Sequence, residues 1–75
     1  MPKLSQISAR VLIRILEKAS FIKHHQKGSH VRMIHPDGRR TSVPLHSGEN
    51  VGVGLLSKIL KDSDIKRGEF EKLKR

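Results

Sequence analysis

The chain has no cysteine, tryptophan or tyrosine, and only two phenylalanines. Without cysteine there can be no disulfide and no thiolate metal site, which fits a reducing compartment. Base stacking on an aromatic platform is not expected either, because Phe21 and Phe70 both fall at positions that read as core. The apolar runs are too short to span a bilayer, and the N-terminus shows neither the h-region nor the small-residue cleavage site of a signal peptide. A cytoplasmic protein is expected. Acidic residues are scarce: 7 Asp and Glu stand against 16 Lys and Arg, a formal charge of +9 over 75 residues. Asp37 sits in a turn, and Asp62 and Asp64 lie at the end of a helix. Nothing pairs these carboxylates for acid–base or metal chemistry.

A chain of this length makes one small domain, here residues 1–75, and buries only about 60% of the surface its unfolded form exposes. A deep cleft is not expected, so function should lie on a shallow surface or with a partner. The positive charge is the composition of a phosphate-binding surface, which makes nucleic acid the first suspect. The same charge also suits plain solubility or an anionic protein partner.

In "SARVLIRILEKAS" the apolar residues Val11, Leu12, Ile15, Leu16 and Ala19 form the stripe of an amphipathic helix, with Ser8 as N-cap. Ile13 lies off that stripe. After Ser20 the period changes from 3.6 to two, and the turn signals are spaced for three short strands at residues 21–25, 29–35 and 39–45. Pro36-Asp37-Gly38 makes the turn between the last two. Alternation directs Val31 and Met33 one way, toward the core. His30, Arg32 and Ile34 then point the other way, beside Arg40 and Ser42 of the third strand. Ile34 is out of place on a polar face.

The Gly-rich stretch "LHSGENVGVG" is a connection. Leu55, Leu56, Ile59 and Leu60 then repeat the first helical stripe, and Ile65, Phe70 and Leu73 point to a short third helix weakened by Gly68. The expected fold is α+β, of order α-β-β-β-α, with a three-stranded antiparallel sheet carrying helices on one face.

Five histidines raise the question of a metal. Strand geometry argues against one: His24 and His25 are adjacent and face opposite ways, and His30 and His35 are an odd number apart. No metal and no other cofactor is expected. Gly28-Ser29-His30 differs from the rest, because a glycine permits positive φ and the following groups can address a phosphate. Lys27 precedes it and Arg32 follows on the same face. At neutral pH a histidine in this setting can take a proton from a ribose 2′-OH or give one to a leaving 5′-oxygen, with Lys or Arg stabilising the phosphorane. Alternatively His30 is a surface group that hydrogen-bonds RNA or a carbonyl without chemistry, and the residues alone favour that simpler reading.

The motif order weighs against it. "SARVLIRILEKASF", "QKGSH", "HPDGRR", "VPLHSGE" and "LLSKIL" occur in sequence and span nearly the whole chain. In this it closely resembles the HicA family of toxin mRNA interferases. The resemblance implies a double-stranded-RNA-binding-domain-like fold, metal-independent cleavage of mRNA that halts translation, and a HicB-family antitoxin that covers the active site. It places the family's essential histidine at His30, with Gly28, Ser29 and Lys27 shaping the site, so that catalysis becomes the better reading. Lys27, Arg32, Arg39 and Arg40 are the candidate RNA-binding residues, and His46, in "VPLH", is a candidate second acid or base. His46 reads at least as well as a hydrogen-bonding loop residue.

Two positions depart from the family pattern: Ser20 stands where many relatives have Gly, and Lys66 where a capping Ser or Thr is common. The alternative function is a noncatalytic double-stranded-RNA-binding-like module that reads shape. An inactive relative kept only to bind its antitoxin is the least supported reading, because "KGSH" is intact.

Overall fold

The computed structural model describes residues 4–45 and 50–74. Among them run β1 (Ile7–Ser8), α1 (Ala9–Lys18), β2 (Ile22–Lys27), β3 (His30–Ile34), β4 (Arg40–Pro44), β5 (Asn50–Val51), α2 (Val53–Asp62) and α3 (Arg67–Leu73). Strands β2, β3 and β4 form an antiparallel meander. Its inward residues Val31, Met33, Thr41 and Val43 are buried with Leu12, Ile15 and Leu16 of α1 and Leu56, Ile59 and Leu60 of α2. This is the expected α+β arrangement with a double-stranded-RNA-binding-domain-like order, and the face of the sheet that bears His30 is left open.

Ser8 caps α1 as its sequence position requires, its hydroxyl accepting the Val11 N–H at 3.2 Å. The buried stripe of that helix is Ala9, Leu12, Ile15 and Leu16, while Val11 is 40% exposed. Val11 therefore leaves the expected core, and Ile13 packs at its margin instead. In α2 Leu55 does the same, 39% exposed, because the helix sits against β4 and turns that residue toward the sheet edge.

One pairing escaped the sequence pattern. Strand β1 pairs with β5, Ile7 opposite Val51 and Ser8 opposite Asn50, tying the start of α1 to the Gly-rich connection. The last helix forms although Lys66 gives no side-chain cap. Its Phe70 is fully buried, and the Lys18 ammonium of α1 donates to the Leu73 carbonyl at 3.3 Å. Packing thus replaces the missing cap.

All six residues of β2, an edge strand of the meander, are exposed. Lys23 and Lys27 on it, together with a register step between Lys23 and His25, discourage pairing with another chain.

Candidate active site on the open face of the sheet

The site begins with a two-residue hairpin turn. Lys27 and His30 are direct partners, so Gly28 and Ser29 alone connect β2 to β3. Gly28 has φ +60 and Ser29 is not among the positive-φ residues, the pattern of a type II′ turn, which places Gly at its first central position. A Cβ on Gly28 would meet nothing within 4 Å, so the backbone angle, not crowding, makes glycine the fitting residue. Ser29 is held in the turn, where its carbonyl accepts the Leu45 N–H and continues the β3–β4 ladder.

Register then arranges the open face in rows. His30 lies between Lys27 and Pro44, and Arg32 lies between His25 and Ser42. Ile34 is beside Arg40, and Ile22 is its partner on the other side. A shallow hollow at the turn end of this face is lined by His25, Lys27, Gly28, His30, Arg32 and Ser42. Among the described residues no carboxylate lines it. A neighbouring groove shares Arg32 and Ser42 and continues over Ile34 and Arg40 to Leu55, Lys58 and Asp62 of α2. Ile34 is half-buried on that apolar floor, which accounts for its place on the polar face.

The structure brings His30, Lys27, Gly28 and Arg32 together as the sequence led one to expect, and sets Arg40 one row away. Arg39 is directed elsewhere. Its guanidinium donates to Asp37 Oδ2 at 2.8 Å and to the Ser63 carbonyl at 2.6 Å, and it lies 5.4 Å from the centroid of Phe21. Asp37 Oδ1 accepts the Arg39 backbone N–H at 3.0 Å. That backbone bond is the largest influence holding the Asp37 carboxyl below its ordinary value. Partial desolvation opposes it, and the Arg39 guanidinium and His35 ring reinforce it.

His35 packs edge-on against Phe21 with centroids 5.2 Å apart, as a turn and packing residue. His46 lies outside the described residues. Among the described residues no three His, Cys, Asp or Glu side chains gather as metal ligands would.

His25 owes its face to an irregularity in β2. Lys23 faces Met33, yet His25 faces Arg32, so β2 spends two residues against one step of β3. This bulge removes His24 from the regular ladder and moves His25 to the face of His30. Two adjacent histidines interrupting a period-two pattern were the only signal in the sequence, and they give no direction to the shift.

A family model described as HicA toxin of bacterial toxin-antitoxin matches residues 9–65. The match includes the whole sheet, both long helices and every residue of the hollow. No curated protein matches the chain.

Proposed function

The chain belongs to the HicA toxin family of bacterial toxin–antitoxin systems, and we propose that it is the toxin of a type II pair and a metal-independent endoribonuclease that cuts mRNA. The observation that carries this reading is the setting of His30. It is exposed at the mouth of a tight turn, on the sheet face the helices leave open, between Lys27 and the Arg32 row and, among the described residues, with no carboxylate lining the hollow. His30 takes the proton of a ribose 2′-OH. The 2′-oxygen attacks phosphorus and the bond to the 5′-oxygen breaks. Lys27 and Arg32 counter the charge that gathers on the non-bridging oxygens. Lys27, Arg32 and Arg40 together give the RNA backbone a track of cations across the hollow and the adjoining groove. The hollow is shallow, so the substrate strand is single or locally unpaired and lies across the sheet.

The partner is an antitoxin of the HicB kind, whose binding covers this face, and the charge of the toxin favours an acidic contact surface on it. The complex is therefore expected to leave RNA intact, and an active complex contradicts occlusion.

The test of the chemistry is a defined RNA incubated with purified toxin and with its His30→Ala variant. New ends bearing 2′,3′-cyclic phosphate are expected from the wild type. The variant should be slower by about 10²–10⁴-fold with its circular dichroism unchanged. Cleavage retained by the variant removes His30 from the mechanism, and cleavage lost on chelation points to a metal route. Binding with no new ends from the wild type returns the noncatalytic RNA-binding module.

A further inference from the structure

Cleaving a phosphodiester by its own 2′-OH needs two proton transfers, one from the attacking oxygen and one to the leaving oxygen. His30 supplies a single imidazole. The β2 bulge places a second one on the same face, because His25 is opposite Arg32 while Lys27 is opposite His30. His25 and His30 are thus diagonal neighbours on adjacent strands, a relation that sets two residues about 7–8 Å apart and their Cβ atoms somewhat closer. That separation leaves room for one phosphate between two rings. Both are exposed, and both line the hollow that Lys27 and Arg32 complete. Among the other histidines that the structure describes, His24 does not line it and His35 is packed on Phe21.

We propose that His25 is the general acid of the cleavage, the group that protonates the leaving 5′-oxygen. This rests on the nuclease reading and adds a second catalytic residue to it. In the step, neutral His30 accepts the 2′-OH proton and the P–O2′ bond forms. The P–O5′ bond breaks as the His25 imidazolium gives its proton to O5′. The products are a 2′,3′-cyclic phosphate and a 5′-hydroxyl, with His30 protonated and His25 neutral until water exchanges both protons. Among the described residues, Lys27 beside His30 and Arg32 beside His25 are the charged groups that line the hollow with the pair.

A leaving group that needs no proton tests this role. The toxin and its His25→Ala, His25→Arg and His30→Ala variants are given one RNA with its natural linkage, and the same RNA with sulfur in place of the bridging 5′-oxygen at the cleaved site. A thiolate departs without an acid. Both His25 variants should lose about 10²-fold or more on the natural linkage, arginine included, because it keeps the charge but cannot release a proton. On the sulfur linkage both should come within about tenfold of the wild type, while His30→Ala stays slow.

An equal loss on the two linkages overturns the proposal, since it marks His25 as a binding or structural group. His25→Arg matching the wild type on natural RNA also overturns it. A wild type that cuts neither RNA refutes the nuclease reading itself. An active wild type with a dead His30→Ala and unimpaired His25 variants refutes the role of His25 alone.

Discussion

Arg39 and Arg40 adjoin in the sequence and take unrelated work, because a strand turns successive side chains to opposite faces. Arg40 reaches the groove beside the hollow, whereas Arg39 ties the β3–β4 turn to the end of α2 through Asp37, the Ser63 carbonyl and the Phe21 ring. Arg39→Ala is therefore expected to lower stability by about 1–3 kcal/mol in urea unfolding while RNA affinity stays near that of the wild type. A variant that keeps its stability and loses affinity would return Arg39 to the phosphate track.

The Asp37 carboxyl adds an acid limb to the same clamp. Its folded pKa is depressed, so the stabilisation is complete above the unfolded value of about 3.9 and disappears as pH falls through the lowered one. Urea midpoints of the wild type and Asp37→Asn should differ above pH about 4 and converge below it. A difference that is constant through the acid range would assign the effect of Asp37 to packing.

Both long helices end in the same way. After α1, Ser20 stands at φ 76, its N–H donating to the Glu17 carbonyl, while the Phe21 N–H reaches the Leu16 carbonyl at 2.9 Å. After α2, Asp64 stands at φ 55 with the Ile65 N–H on the Leu60 carbonyl at 2.9 Å. These are Schellman ends, and each is followed by a buried apolar residue, Phe21 or Ile65. A residue with a Cβ costs about 1 kcal/mol in that left-handed position. Ser20→Gly is expected to raise stability by about 0.5–1 kcal/mol and the thermal midpoint by about 3–6 °C, without changing cleavage. An unchanged or lower midpoint would mean that the Ser20 side chain offsets its own strain.

The departure at Ser20 was visible because the family resemblance puts Gly at that position in many relatives. The β1–β5 pairing was not, since two residues per strand leave no period to detect. The last helix was also hard to read, because Gly68 and Lys66 both argue against it locally. Burial of Phe70 decides in its favour.

Over the whole molecule, the net charge of +9 draws polyanions from any direction, and the open face gathers cations around an exposed imidazole. If Lys27, Arg32 and Arg40 are the phosphate contacts, single-stranded RNA affinity should fall with salt at a log–log slope of about −2. Arg40→Ala should reduce that slope by about 0.7. Fluorescence anisotropy across a salt series measures both. A much steeper slope would show that phosphates bind over the helical face as well.

The sequence by itself determined the order of the long elements, the Ser8 cap, the inward pair Val31 and Met33, and the exposure of His30 and Arg32. Each of these follows from local propensity or from a fixed side-chain period. Only the tertiary structure decided that His25 joins His30, that Arg39 is bound to Asp37 and Ser63 away from the hollow, and that Val11 and Leu55 stay outside the core. Those outcomes depend on a one-residue bulge, on partners 24 positions away such as Ser63, and on the line along which helices meet the sheet. A side-chain period records none of these, because each is set by residues distant in the chain.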